Sequence, residues 1–176
     1  MNNNTFVHKY IETLIHPNDI CVDLTLGNGN DSELLCKLAN KVYGFDISSE
    51  AITNSKNRLK DYHNIDYILD NHINIDKYIK ENINLAIFNL GYLPHSEDPN
   101  ITKADETLIA FKKTYELLSD DGYIIITFYL GHKGGKDEYY LLDKYIKDND
   151  IKIIEKYRQD KIDSPITYII KKEKSS

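Results

Sequence analysis

Three carboxylates and two glycines lie at the ends of two predicted strands in the N-terminal third of the chain. Asp23 precedes the turn Gly27-Asn28-Gly29, Asp31 follows it, and Asp46 ends the next apolar strand. Glycines let the backbone pass close to a ligand, and the helix predicted after the turn offers free N–H groups at its N-terminus. Asp46 can accept the two hydroxyls of a ribose. The pattern therefore predicts a nucleotide-type cofactor site.

Two cofactor classes use this geometry, and the residues favour one of them. A dinucleotide site usually reads G-x-G-x-x-G, but Ser32 stands at the place of the third glycine. Asp23 and Asp31 suit a cofactor whose near end is cationic, as in S-adenosylmethionine, which carries an ammonium and a sulfonium. The alternatives are a dinucleotide-dependent dehydrogenase and an α/β domain whose turn binds nothing.

The bulk properties are those of one globular domain spanning residues 1–176. The chain is 41% apolar, has a formal net charge of −6 and contains two cysteines, which we expect to be buried and reduced. No apolar run approaches the roughly 18 residues of a membrane helix, and residues 1–5 do not resemble a signal peptide, so we expect a cytoplasmic protein without a membrane partner. The net charge disfavours a broad nucleic-acid surface but permits a local basic patch. The histidines lack metal-site spacing, so no metal is expected.

Apolar residues alternate between helical and strand periods along the chain. We predict an α/β fold: a Rossmann-like, mostly parallel seven-stranded sheet with helices on both faces. No helix fits between the last two strands, so they should form an antiparallel hairpin. The predicted strands cover residues 20–25, 42–46, 66–69, 85–88, 123–130, 151–157 and 166–171, and Thr102 begins a capping box before the helix that precedes the fifth strand.

Two loops after the later strands carry further candidate residues, because ligands bind beyond the carboxyl ends of such strands. Asn89-Leu90-Gly91-Tyr92 resembles the Asn-Pro-Pro-Tyr pattern of amino-group methyltransferases, with both prolines replaced. The Asn89 oxygen can orient an attacking amine, and Tyr92 can stack on a base. In the loop 131–135, His132 can accept a proton and Lys133 can contact a phosphate. Each segment can also be an ordinary turn.

Several segments together resemble one family of small bacterial methyltransferases, long labelled putative rRNA methylases. Residues 23–31, Asp-Leu-Thr-Leu-Gly-Asn-Gly-Asn-Asp, are similar to its motif Asp-Ala-Thr-x-Gly-Asn-Gly-x-Asp. Further matches follow in the same order and cover nearly the whole chain: Asn89–Pro94, Thr102-Lys103, the Gly-His-x-Gly-Gly-Lys-x-Glu segment at 131–138, and Asp163-Ser164-Pro165.

The resemblance implies a class I S-adenosylmethionine-dependent fold and an activity on tRNA. The family methylates the amine of 5-aminomethyl-2-thiouridine at the anticodon wobble position, giving 5-methylaminomethyl-2-thiouridine. One departure is visible, because His95-Ser96-Glu97-Asp98 replaces the family's Gly-Gly-Asp-Lys and makes this loop more acidic. That change puts the RNA contacts of this loop, and with them the substrate, in question.

The residues and the resemblance give the following site. Asn89, Tyr92 and His132 are expected at the reacting end. RNA contacts are expected from Tyr92, Lys103, Lys133 and Lys136. Cofactor contacts are expected from Asp23, Thr25, Leu26, Gly27, Asn28, Gly29, Asp31, Asp46, Ile47, Asn71, His72 and Asn89.

The first hypothesis is thus an RNA N-methyltransferase that uses S-adenosylmethionine and binds the tRNA anticodon loop. The runner-up is a methyltransferase acting on rRNA or on a small-molecule amine. A non-enzymatic nucleotide-binding module is a third possibility, because one fold hosts many functions. A homodimer would widen the RNA surface of so small a protein, but the sequence does not set the oligomeric state.

Overall fold

The computed structural model describes residues 1–91 and 100–174. Its helices and strands follow one another in chain order as α1 Asn3–Leu14, β1 Ile20–Asp23, α2 Asn30–Leu38, β2 Lys41–Asp46, α3 Ser49–Arg58, β3 Ile65–Leu69, a 3-10 turn His72–Asn74, α4 Ile75–Tyr78, β4 Ile83–Asn89, α5 Lys103–Leu117, β5 Leu118–Phe128, α6 Gly135–Asp148, β6 Lys152–Arg158 and β7 Ile166–Lys171.

All seven strands form one sheet in the order β3-β2-β1-β4-β5-β7-β6. β1 to β5 are mutually parallel, whereas β7 pairs antiparallel with both β5 and β6. The predicted mostly parallel sheet with a C-terminal antiparallel hairpin is therefore confirmed. The chain order reverses between β1 and β4, and this is where open α/β sheets bind their ligands.

Apolar side chains form two separate buried clusters, one on each face of the sheet. On one face, Val7 and Ile11 of α1 pack with Leu35 of α2 and with Leu85 and Ile87 of β4. On the other face, α4, α5 and α6 cover the sheet, with fully buried residues such as Phe111 and Leu142. Burial on both faces explains why the central strands are continuous apolar runs. It also fixes the strand ends as the place where polar side chains collect.

The bounds of the first and fifth strands differ from the sequence prediction. The first strand ends at Asp23 rather than residue 25, because the Thr25 N–H donates to Asp23 Oδ1 (3.1 Å) instead of continuing the ladder. The fifth strand begins at Leu118, which pairs with Ile83 ahead of a β-bulge, and it ends at Phe128. Residues 129–130 therefore belong to the loop above the sheet.

The capping residues at the helix starts agree with the sequence pattern. Thr102 accepts a hydrogen bond from the Asp105 N–H (3.0 Å) and caps α5 as predicted. At α1 the cap is Asn2, whose side chain accepts from the Thr5 N–H (2.8 Å), so this helix starts earlier than its apolar face indicates. In the described part of the chain, no helix combines the length and the apolarity needed to cross a membrane. The cytoplasmic location stays a prediction.

Candidate functional site

The glycine turn between β1 and α2 needs backbone angles that favour glycine. Gly27 and Gly29 have φ of +54° and +84°. A Cβ added to Gly29 would also lie 3.2 Å from Ser55 Oγ on α3. The Leu26 N–H donates to the Phe45 carbonyl (2.9 Å), which ties the turn to the end of β2. These contacts restrict the conformation of the turn. Its backbone faces the space beyond the carboxyl ends of the strands.

Asp46 at the end of β2 holds this turn in place. Its Oδ2 accepts the Gly27 N–H and its Oδ1 accepts the Ser48 N–H, each at 2.9 Å. Each carboxylate oxygen keeps a further lone pair for a ligand hydroxyl. The buried Asp46 lines the hollows on both sides of it, so one carboxylate lies between two parts of the candidate pocket. This placement is compatible with the predicted ribose contact.

A cluster of carboxylates lies beneath the first hollow. Asp23 is fully buried and accepts hydrogen bonds from Ser32 Oγ (2.8 Å) and from the Thr25 N–H. Burial, together with the nearby charge of Asp31, raises the pKa of Asp23 to about 7. Asp31 Oδ1 lies 2.8 Å from His8 Nε2, and this hydrogen bond raises the pKa of His8. A cation above these groups would favour the ionised form of Asp23.

The first hollow has a volume of about 170 Å³, far more than one water molecule needs. Its floor and walls come from the glycine turn, the start of α2 and the ends of β2 and β4, together with α1. The lining residues are Asn4, Thr25, Leu26, Gly27, Asn28, Asn30, Asp31, Asp46 and Asn89. Seven of the residues predicted from sequence to bind the cofactor thus lie around one cavity.

The second hollow continues past Asp46 toward the end of β3 and is lined in part by Ile47, Asn71 and His72. His72 Nδ1 donates to the Leu24 carbonyl (3.0 Å), and burial lowers the pKa of His72 to about 4, so the ring is neutral. Its Nε2 is buried and has no hydrogen-bond partner among the described residues. Asn71 Oδ1 accepts the Ile73 N–H (3.0 Å) and caps the 3-10 turn.

Asn89 is held at the end of β4, next to the first hollow. Its N–H donates to Thr25 Oγ1 (2.7 Å), which fixes the backbone against the β1 turn. Its side-chain Oδ1 is buried, with no hydrogen-bond partner in residues 1–91 or 100–174. A buried acceptor without a donor costs free energy, about 1–3 kcal/mol in typical cases, so this oxygen is available to a ligand N–H or O–H. Tyr92 and the departure at 95–98 fall outside the described residues.

His132 lies on the loop after β5, where it is linked to the β4 loop through Tyr129. The His132 and Tyr129 rings stack at 5.4 Å with an interplanar angle of 23°. A Cβ on Gly91 would lie 2.8 Å from the Tyr129 ring, so this ring covers the glycine closely. Gly135 is equally constrained, since its Cβ would meet the Tyr129 carbonyl oxygen at 2.0 Å. The exposed His132 does not line either hollow.

The three lysines predicted to bind RNA have different surroundings. Lys103 is only 13% exposed, and its Nζ lies 3.7 Å from Glu138 Oε1 and donates to the Leu90 carbonyl (3.3 Å). Glu138 is buried and also accepts from Thr107 Oγ1 (2.6 Å). Lys103 thus joins the β4 loop to α6, which gives it a structural contact besides any RNA contact. Lys133 and Lys136 are exposed and form no ion pair within the described ranges.

A family model and a curated relative point to the same family. A family model described as "Putative rRNA methylase" matches residues 42–171. A chloroplastic tRNA (mnm(5)s(2)U34)-methyltransferase of Arabidopsis thaliana is 30% identical over 78% of this chain and 56% of its own length. The chain belongs to the rRNA_methylase family. The chain spans a little over half the length of that curated relative.

Solved structures extend this result over nearly the whole fold. A putative rRNA-methylase from Clostridium thermocellum superposes with a TM-score of 0.82 at 34% identity, covering 97% of this chain and 98% of that one. A putative methyltransferase from Streptococcus mutans, solved in complex with SAH, has the same TM-score and coverage at 33% identity. The predictions of a class I fold and of a methyltransferase family that uses S-adenosylmethionine are thereby confirmed.

The donor set of this chain fits that cofactor. Asp23 and Asp31 provide negative charge beneath the first hollow, Asp46 provides acceptors between the two hollows, and His72 provides a neutral ring with an unpaired acceptor. These features match a cationic end, a ribose and a base in that order along the strand ends. The assignment of individual residues to parts of the cofactor stays a prediction.

Sequence reasoning missed residues that approach the site from α1 and from the β5 loop. Asn4 lines the first hollow and His8 binds Asp31. The two are four residues apart, so they share one face of the helix, and that polar spacing within an apolar helix was the available signal. Tyr129 was assigned to the fifth strand, and only the fold shows its contact with Gly91.

Proposed function

We propose that this methylase transfers a methyl group to an RNA amine, the aminomethyl nitrogen of 5-aminomethyl-2-thiouridine at the tRNA wobble position. The observation that carries the proposal is the buried, unpaired Oδ1 of Asn89, because an acceptor at this place can orient an amine N–H toward the cofactor pocket. The name of the chloroplast relative supports the same substrate.

The residues divide the work of the reaction between positioning and proton removal. S-adenosylmethionine supplies an activated methyl group on sulfur, so the protein contributes mainly alignment and exclusion of water. Asn89 holds the amine through its side-chain oxygen, and the rigid link from its N–H to Thr25 keeps that oxygen in place. An alkylamine is mostly protonated at neutral pH, so the ammonium must lose a proton before its nitrogen can attack, and the exposed His132 and solvent are the available acceptors.

A wobble base suits this small acidic protein better than a base within a duplex. The anticodon loop is single-stranded, so presenting the base costs less unstacking free energy than extracting it from paired RNA. With a net charge of −6, the protein can offer only a local group of cations to the phosphates. Lys133 and Lys136, which border the substrate end, fit this requirement.

The test is methylation of defined RNAs followed by mass spectrometry of their nucleosides. We expect 5-methylaminomethyl-2-thiouridine to form in tRNA that carries the aminomethyl group and not in the same tRNA without it. Small-subunit rRNA from the same cells is the comparison substrate, because the family name points to rRNA. Methylation of rRNA alone, or of a free amine at the same rate as tRNA, would contradict the proposal.

A further inference from the structure

The loop between β6 and β7, residues 159–165, lies beside the loop that follows β5, although some thirty residues of chain separate it from that strand. β7 runs antiparallel to β5, so its first residue Ile166 pairs with Phe128, the last residue of β5. A Cβ built on Gly131 would lie 3.7 Å from the Cβ of Asp163. The 159–165 loop and the 131–135 loop are therefore neighbours, beyond the end of β5 and the start of β7.

The 159–165 loop is a structured turn that presents one apolar side chain to solvent. The Lys161 N–H donates to the Gln159 carbonyl (2.9 Å), and the Ser164 N–H donates to the Lys161 carbonyl (3.3 Å). Ser164 is buried and anchors the turn, whereas Ile162 is 94% exposed. A single exposed isoleucine is ordinary, so its neighbours must decide whether it has a role.

Those neighbours include cations that form no ion pair with another described residue. Arg158, Lys161, Lys133 and Lys136 are exposed and form no ion pair with any described carboxylate, although the 159–165 loop itself contains two aspartates. By contrast, Lys171 at the other end of β7 pairs with Asp121. These four cations lie near the exposed Asp137, Asp160 and Asp163, so this surface keeps a small excess of positive charge on an acidic protein.

An exposed tyrosine of α6 extends this surface. Tyr140 is 64% exposed and follows Lys136 by one helical turn, so the two share a face. The flanking residues Tyr139 and Asp143 both hydrogen-bond to the Tyr168 hydroxyl on β7, at 2.8 and 2.6 Å. α6 therefore packs against β7 through the face next to the one that carries Lys136 and Tyr140.

We propose that the 159–165 loop and the start of α6 form a second RNA-contact surface, which holds a single-stranded segment beside the base being methylated. Arg158, Lys161, Lys133 and Lys136 would contact phosphates, and Ile162 and Tyr140 would lie against base faces. Unpaired RNA is the partner because only unstacked bases offer their faces to apolar and aromatic side chains. The proposal rests on the proposed function, since it assumes that RNA enters this edge.

The experiment measures binding of an anticodon stem-loop by fluorescence anisotropy over a range of salt concentrations. The test variant is Arg158→Ala with Lys161→Ala, and Ile162→Ala is measured separately. The matched control is Lys37→Ala with Lys60→Ala. These two exposed lysines lie near the C-terminal ends of α2 and α3 and also form no ion pair with described residues. Affinity for S-adenosylmethionine is measured by calorimetry for every variant.

We expect the test variant to bind the stem-loop about tenfold more weakly and to lower the salt slope by about 1.5, as for two lost phosphate contacts. Ile162→Ala should weaken binding about threefold at an unchanged slope, and the control variant should behave as wild type. Stem-loop binding with unchanged affinity and slope in the test variant would overturn the inference while leaving the proposed function standing. No stem-loop binding by the wild type would instead overturn the proposed function.

A further measurement separates RNA from a protein partner. If Ile162→Asp converts a dimer to a monomer in sedimentation and leaves stem-loop affinity unchanged, Ile162 contacts a second copy of the chain, and its assignment to RNA is overturned. A variant with unchanged mass and weakened stem-loop binding supports the RNA contact.

Discussion

The two halves of the pocket differ in how far their charged side chains are already paired with other described residues, although each half also has one buried acceptor without a partner, His72 Nε2 and Asn89 Oδ1. At the cofactor half, Asp23 and Asp46 accept hydrogen bonds from the β1 turn and its neighbours, and Asp31 is paired with His8. At the substrate half, Asn89 Oδ1 has no partner in the described part of the chain, and Lys133 and Lys136 are unneutralised.

This difference shows where each half obtains its specificity. Carboxylates fixed by backbone N–H groups cannot rearrange cheaply, so the cofactor half is preorganised for one ligand. Under the proposed function, the substrate half keeps the buried Asn89 oxygen for the reacting amine, and its exposed lysines are available to RNA phosphates. Substitutions in the first half should therefore change cofactor affinity, whereas substitutions in the second should change turnover or RNA affinity.

The largest effect is expected for Asn89→Ala. Loss of the amine-orienting oxygen should lower kcat by about a hundredfold or more, because orientation acts mainly on the transition state. Affinity for S-adenosylmethionine should change little. Single-turnover methylation of tRNA measures the first quantity and calorimetry the second. Asn57→Ala on the exposed face of α3 is the control. Near-normal turnover would remove Asn89 from the chemistry.

Asp46→Ala should have the opposite profile. Loss of a charge-assisted hydrogen bond of roughly 1.5–3 kcal/mol should weaken S-adenosylmethionine binding by at least about tenfold. The Gly27 N–H would also lose its acceptor, which adds to the effect. Calorimetry measures the affinity, with the exposed Asp61→Ala as control. An unchanged affinity, or binding of NAD in preference, would contradict the cofactor assignment.

The sheet and the cofactor turn could be predicted because their signals are local. The strand–helix periods gave seven strands, and the lack of a helix between the last two gave the hairpin. The spacing of Asp23, Gly27, Gly29 and Asp46 placed the cofactor end, because parallel strands bring their carboxyl ends together. Insertion of β7 between β5 and β6 could not be read this way, since strand order depends on long-range pairing.

The residues that sequence reasoning missed come from elements whose location depends on that order. Asn4 and His8 reach the pocket because α1 packs across β4 and β7. The 159–165 loop lies beside the 131–135 loop because β7 runs antiparallel to β5. Tyr129 contacts Gly91 only because β5 is the neighbour of β4. The spacing of Asn4 and His8 marks a shared face of α1, but no periodicity within these segments tells which element such a face contacts.

Gly91→Ala tests whether the two substrate loops act together. The new Cβ would lie 2.8 Å from the Tyr129 ring and must displace the ring or the backbone. Because Tyr129 stacks on His132, we expect kcat to fall about tenfold, the order of effect that a small misplacement causes. Cofactor affinity should stay unchanged by calorimetry. Normal turnover would show that the Tyr129 ring moves without disturbing the site.

The smallest effect is expected from the titration of Asp23, which tests the comparison of the two halves at the cofactor half. A carboxyl group whose pKa is higher in the folded state binds more protons there than when unfolded, so the free energy of unfolding falls as the pH rises between about 4 and 7. The His8 pKa is also raised, and its contribution is likewise lost as the pH rises through its folded value. Between pH 5 and pH 7.5, the Tm of the cofactor-free protein should therefore fall, by about 2–4 °C for each kcal/mol lost in a chain of this size.

Asp23→Asn should remove much of this pH dependence, whereas His8→Gln should remove only its own smaller part. In the wild type, S-adenosylmethionine should bind more tightly as the pH rises through 7, since its cationic end favours the ionised carboxylate and binding releases a proton. Calorimetry in two buffers with different ionisation enthalpies measures that proton. If the Tm of Asp23→Asn follows pH as the wild type does, and no proton is released on binding, then Asp23 is ionised throughout and the cofactor half is charged before the cofactor arrives.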